Sequence, residues 1–199
     1  MRIVFLDCDG VLNCCTTDTH IPNTPYVGLD MELVKNLKTL IDKSNEEEET
    51  KIVLSSSWRK NLVRSQAAGN DYDESGDNAL PYLKETLKKV DLEIFDYTPY
   101  FGHNNFDYSN QRYAGRGDEI LQWIEDHKDL NITNYLILDD EYHHGFDDII
   151  DHWIKTKFYS DEGGFREEYI DPALEVLRGN WKNVRYGFLK SSSSSEDKN

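Results

Sequence analysis

Short apolar runs separated by amphipathic helices restrict the folds open to this chain more than any other feature it has. Arg2–Leu6 reads RIVFL and ends at Asp7. Lys51–Leu54 reads KIVL and ends in Ser55-Ser56-Ser57-Trp58-Arg59. Leu92–Tyr97 alternates, Tyr135–Leu138 ends at Asp139-Asp140-Glu141, and Ile154–Phe158 forms a fifth run. Between these runs the apolar residues change to helical spacing. Leu33, Val34, Leu37, Leu40 and Ile41 form one stripe behind Asp30, which reads as an N-cap. Leu80, Leu83, Leu87 and Val90 share a face behind Asn78, with Pro81 tolerated in the first turn. Ile120, Leu121 and Ile124 face inward behind Gly115-Arg116-Gly117-Asp118. Gly145–Ile150 reads as a short helix, and Asp171-Pro172 as the cap and start of a last one that stops at Gly179. Such alternation predicts βαβ units, hence an α/β fold: a three-layer, Rossmann-like, mainly parallel sheet covered on both faces.

The 199 residues suffice for one core, and residues 1–190 read as a single domain without internal repeats. Residues 10–29, with Pro22, Pro25 and Gly28, read as a loop or small flap, and residues 98–115 as a loop insertion. The acidic run at 45–50 reads as a solvated connector and 69–77 as polar loop. Residues 191–199 read as a disordered polar tail. So short a flap leaves a minimal cap and an open site, which suits a bulky or macromolecular substrate or a cap supplied by another subunit.

Charge narrows the partners. With 38 Asp+Glu against 22 Lys+Arg, the formal net charge is −16. A field this negative repels phosphate backbones, which disfavours a protein that coats nucleic acid. Any phosphate-bearing substrate then needs a local cation. The three cysteines, Cys8, Cys14 and Cys15, are odd in number and lack C-x-x-C spacing, so they read as ordinary thiols in a reducing compartment. There is no apolar run of about 18 residues, and the first residues lack a signal peptide's apolar region. The expectation is a cytoplasmic chain with no membrane partner.

Parallel sheets carry ligands at the carboxyl ends of their strands. Three of the runs end there in residues suited to phosphate chemistry: Asp7-Cys8-Asp9-Gly10, the triple serine, and Asp139-Asp140. On an extended segment Asp7 and Asp9, two apart, point to the same side and repel unless a cation lies between them. Asp-x-Asp-Gly alone is common in turns. The ordered recurrence of acids at strand ends is more specific: Asp7, Asp9, Asp139 and Asp140 around one crevice imply a hard divalent cation with oxygen ligands. No G-x-x-x-x-G-K-[ST] occurs, nor a G-x-G-x-x-G after the first run, which excludes a P-loop and disfavours a dinucleotide site. Other residues keep two readings. Trp58 packs the core or faces the crevice, and Arg59 caps a helix or meets substrate. Tyr100, Phe101, His103, Phe106, Tyr108 and Tyr113 stack a base or form a satellite core. His143, His144 and His152 read as exposed loop histidines rather than a zinc site.

These motifs together resemble the haloacid dehalogenase-like (HAD) superfamily of phosphohydrolases. Its signature is Asp-x-Asp-x-(Val/Thr) after the first strand, Ser/Thr after the second, Lys/Arg before a later strand and an acidic pair after that strand. All four occur in order between Asp7 and Asp140. The forms LDCDGVLN, SSWR and RGDEI look similar to a branch with small HAD domains of RNA-repair proteins and polynucleotide phosphatases. The resemblance implies an aspartyl-phosphate mechanism. Asp7 would be the nucleophile, Asp9 the general acid and base, and Ser55, with Ser56 as its rival, a hydrogen-bond donor to the phosphoryl group. Arg116 would pair with the phosphoryl oxygens and Asp7, ahead of Arg112 and Lys128. Mg2+ would be held by Asp7, by Asp9 through its backbone carbonyl, and by Asp139, with Asp140 orienting its waters. Asn13, Ser56 and Arg59 are expected at the substrate. The implied substrate is a nucleotide or a polynucleotide-end phosphate. A small-metabolite phosphatase or a non-catalytic phosphate- and Mg-binding module are the alternatives.

Overall fold

A computed structural model describes residues 1–59, 78–101 and 114–181, and the backbone alone at 106–107 and 112–113. The central sheet has five parallel strands: β1 (Arg2–Leu6), β2 (Thr50–Leu54), β3 (Ile94–Tyr97), β6 (Asn134–Asp139) and β7 (Trp153–Lys155). Their spatial order is β3-β2-β1-β6-β7. A separate antiparallel pair, β4 (Phe106–Asp107) and β5 (Arg112–Tyr113), lies in the stretch expected to be loop. The helices are α1 (Met31–Asn45), α2 (Ala79–Lys88), α3 (Arg116–Asp126) and α4 (Ile170–Leu177).

Strand alternation divides the core in two. Val4, Leu6, Ile52, Leu54, Leu136 and Leu138 face one way, against Leu37 of α1, Leu83 of α2 and Leu174 of α4. Ile3, Phe5, Val53 and Ile137 face the other way, against Ile120 and Trp123 of α3. Both faces are therefore buried, which is why these strands are near-continuously apolar. β1 stands between β2 and β6, in register through Leu6↔Leu54 and Leu6↔Leu138. The chain moves outward from β1 to β2 and β3, then crosses to β6 and β7. A crevice opens at the carboxyl end where that direction reverses.

Several boundaries depart from the sequence reading. Asp30 caps α1 as expected, its side chain accepting from Glu32 N at 2.8 Å. Asp171 caps nothing: a 3-10 turn at Glu167–Tyr169 runs straight into α4, so Asp171 falls in its first turn and faces Lys43 at 3.4 Å. Leu92 is held outside β3 by a turn through Asp91, at φ 55°, with Leu92 N bonded to Leu87 O. β7 begins earlier, at Trp153, and stops at Lys155; Thr156 N still donates to Asp139 O, and its hydroxyl bonds Gly10 O. The helix expected at Gly145–Ile150 is a pair of 3-10 turns, Phe146–Asp148 and Ile150–His152. The polar stretch 69–77 and the tail 191–199 lie outside the described residues.

Candidate active site

The parallel register sets the site. Asp7 N donates to Leu138 O at 2.9 Å and Ser55 N to Leu6 O at 2.8 Å, so Asp7, Ser55 and Asp139 leave the sheet side by side. Arg116 arrives from the first residue of α3. The start of that helix is held by Gly117, whose backbone lies so close to Gly145 that a Cβ would come within 2.2 Å of Gly145 C. Gly117 N donates to His144 O, and Asp118 accepts from Gly115 N at 2.7 Å.

At the centre, Arg116 Nη1 stands 2.8 Å from Asp7 Oδ2 and also bonds Asp139 Oδ2. Both acids are almost inaccessible, Asp7 at 6% and Asp139 at 1%. Burial pushes the Asp7 carboxyl above its ordinary value; Arg116 works against that shift, Asp139 adds to it, and the nearby Ser56 hydroxyl opposes it. Asp139 goes the other way. Burial again favours its neutral form, but Arg116, His143 and the N–H of Glu141 outweigh it and hold it below the carboxylate range. Burial also opposes the Arg116 charge, yet Asp7 and Asp139 prevail and keep the guanidinium firmly protonated. Asp140, half-buried beside Asp7, Asp139 and Glu141, is pushed up to about 7 by burial first and then by those charges.

Asp7, Asp139 and Asp140 each offer a carboxylate oxygen, all within 4.8 Å of one another. One guanidinium against three clustered acids leaves a deficit of positive charge, which adds to burial in raising both Asp7 and Asp140. Hard oxygen donors at this spacing fit a divalent cation of the Mg2+ kind.

The remaining expected residues divide. Asp9 is not part of the three-carboxylate cluster: its Oδ1 accepts from Asn13 Nδ2 at 3.0 Å and its Oδ2 from Trp58 Nε1 at 2.9 Å. Asn13, expected at the substrate, is fully buried, and its Oδ1 accepts from Gly10 N. Arg59, also expected there, is 1% exposed and neither meets solvent nor caps a helix. It forms an ion pair with Glu119 at 2.6 Å and donates to Thr98 O, Pro99 O and Ser56 O. Of the serines, Ser56 is the one whose hydroxyl favours the Asp7 carboxylate, while the Ser55 hydroxyl meets Thr98 Oγ1 at 3.4 Å. Lys128, one fallback cation, pairs with Glu125 on the surface.

Sequence reasoning missed two contributors. His143 Nε2 lies 3.3 Å from Asp139 Oδ1, four residues along the chain, a spacing that carries no meaning outside a helix. The Trp58 indole reaches Asp9 across 49 positions, which no local pattern reveals. His152 is elsewhere, stacked on Tyr135 at the opposite end of β6. Tyr100 and Phe101 attach to the buried pair: the Arg59 guanidinium lies 6.0 Å from the Tyr100 ring, and Phe101 N donates to Glu119. The side chains of His103, Phe106, Tyr108, Arg112 and Tyr113 lie outside the described residues.

A parallel α/β sheet with acids, serines and an arginine at its switch point defines a HAD-type phosphohydrolase domain. The chain matches the family described as the HAD domain in Swiss Army Knife RNA repair proteins over residues 3–169, and it belongs to that family. No curated protein and no solved structure matched it. Among the described residues, no helix is long and apolar enough to cross a membrane.

Proposed function

We propose that this protein is a Mg2+-dependent phosphomonoester hydrolase acting through an aspartyl-phosphate on Asp7, with a nucleotide or a polynucleotide-end phosphate as its favoured substrate. The observation that carries the reading is the convergence of Asp7, Asp139, Asp140 and Arg116 in one buried crevice. Asp7, desolvated and oriented by Arg116 and Ser56, attacks phosphorus. Asp9 gives its proton to the leaving oxygen as the phosphorus–oxygen ester bond breaks, releasing the alcohol. Asp9, now a carboxylate, takes a proton from water as that water's oxygen attacks phosphorus. Inorganic phosphate leaves and the Asp7 carboxylate is restored. Arg116 has further N–H groups to meet phosphoryl oxygens. Asp7 and Asp139, with Asp9 through its backbone carbonyl, would hold Mg2+, and Asp140 would orient its waters. Bound there, the ion offsets the charge of the acids and the incoming phosphate.

The substrate reading draws on the RNA-repair description of the family and on the net charge of −16. So acidic a surface does not hold a long phosphate backbone, but a single terminal phosphate entering a crevice where Arg116 and a bound Mg2+ would offset the acids satisfies both facts.

A screen of phosphomonoesters that includes nucleotides and 5′- and 3′-phosphorylated oligonucleotides, with and without chelator, tests this. Turnover that needs Mg2+ and disappears in Asp7→Asn is expected. Because burial disfavours the Asp7 charge, Asp7→Asn should melt no lower than the parent at pH 8. Turnover that survives chelation, or survives Asp7→Asn, overturns the reading.

A further inference from the structure

The Asp9 carboxylate is held on both oxygens by groups that only donate. Trp58 Nε1 reaches Oδ2 at 2.9 Å, and an indole nitrogen has no lone pair to accept with. Asn13 Nδ2 reaches Oδ1 at 3.0 Å. The orientation of the Asn13 amide is settled by its other end, because Asn13 Oδ1 takes the N–H of Gly10 at 3.0 Å. The amide nitrogen must therefore be the atom that faces Asp9.

Neither contact has room for a hydrogen on the Asp9 side. When Asp9 carries a proton, that proton has to occupy a lone-pair direction that Trp58 and Asn13 leave open. Both donors lie on the protein side, one on the loop after β1 and the other on the turn after β2.

That turn is itself rigidly mounted. Trp58 N donates to Ser56 Oγ at 3.3 Å. The next residue, Arg59, is buried and bonded to the ends of β2 and β3 and to Glu119 of α3. Trp58 is nearly buried in the main core, so its ring direction is set by packing. A core tryptophan could satisfy its N–H on any backbone carbonyl. Here it is spent on the residue two along from the nucleophile.

We propose that Trp58 is a positioning residue for the general acid, acting with Asn13 to aim the Asp9 proton at the oxygen of the departing alcohol. This rests on the hydrolase reading above. Its consequence concerns leaving groups. An alkyl phosphate expels a poor alkoxide that must be protonated as the phosphorus–oxygen bond breaks, whereas a p-nitrophenyl phosphate expels a stable phenolate with little need of an acid. Loosening Asp9 should thus injure the first reaction and spare the second.

The test compares kcat/KM, which reports the steps through release of the alcohol and not the hydrolysis common to both esters, for glycerol phosphate and p-nitrophenyl phosphate in the parent, Trp58→Phe, Asp9→Asn and the double variant. Phe keeps most of the buried ring while removing the N–H. In Trp58→Phe, kcat/KM for glycerol phosphate should fall about tenfold or more, a share of what general acid catalysis supplies, with little change for p-nitrophenyl phosphate. In the Asp9→Asn background, Trp58→Phe should have no further effect on glycerol phosphate, since its action runs through Asp9. Equal losses on both substrates, additive with Asp9→Asn, would mean that Trp58 only packs the core, and would overturn the inference alone. An Asp9→Asn chain that keeps full glycerol phosphate turnover would overturn the inference alone, since Asp9 would not be the acid; a parent that turns over none of the phosphomonoesters, phosphorylated oligonucleotides included, would remove the hydrolase reading and the inference together. Should Trp58→Phe fail to fold, Asn13→Ser is read in its place by the same substrate ratio.

Discussion

A Cβ placed on Gly10 would stand 2.3 Å from Cγ of Asp140. The glycine that follows the first acidic motif is thus where the loop after β1 closes against the acid that follows β6. Gly10 also has φ +71°, a region that side chains rarely adopt. Gly10→Ala should lose about 1–3 kcal/mol from backbone strain. It should also displace Asp140 and weaken the rise in melting temperature on adding Mg2+. Thermal melts with and without Mg2+ check both; an unchanged Mg2+ response would show that Asp140 does not serve the ion.

The same carboxyl sets a pH dependence. Folded Asp140 holds its proton up to about 7, whereas the unfolded chain releases it near the ordinary value of 3.8. Between those two values the folded state binds more protons, so each rise in pH withdraws stability from the metal-free protein. A bound divalent ion needs the ionised form and reverses the penalty. The melting temperature without metal should fall from pH 5 to pH 8, and the gain from Mg2+ should be larger at pH 8. A Mg2+ shift of equal size at both pH values would contradict this.

Arg59 and Glu119 form a buried ion pair that ties the serine loop to the helix bearing Arg116. Burial pulls the Arg59 pKa down and Glu119 restores part of it, so neither tolerates losing the other. Arg59→Met or Glu119→Leu alone should cost about 3–5 kcal/mol, the range for one uncompensated buried charge. The double variant should recover much of that loss. Denaturant unfolding measures each; additive losses would show that the pair is not coupled.

Ser56, rather than Ser55, is the serine whose hydroxyl favours the Asp7 carboxylate. Ser56→Ala should lower turnover by about tenfold, the worth of one hydrogen bond to a charged group, and Ser55→Ala by less. The reverse order in steady-state kinetics would restore Ser55 to the primary place.

Local chemistry determined much of this from the amino-acid order alone. The apolar runs and helical stripes define a parallel α/β sheet, because burial on both faces demands them. Asp7, Asp139 and Arg116 are legible because each sits at an element boundary: Asp7 just past β1, Asp139 at the end of β6 and Arg116 at the start of α3. Asp30 is legible as a cap because its partner is two residues away. Tertiary structure alone decided the rest. Asn13 and Arg59 look like substrate contacts in the sequence, but packing buries them, and they spend their donors on Asp9 and on Glu119, sixty positions away. Asp171 reads as a cap until a preceding 3-10 turn starts the helix early. Which oxygen of Asp9 meets which nitrogen depends on how the loop after β1 and the turn after β2 are packed together. A hydrogen bond between side chains far apart in the chain leaves no periodicity to read, so only the folded arrangement reveals it.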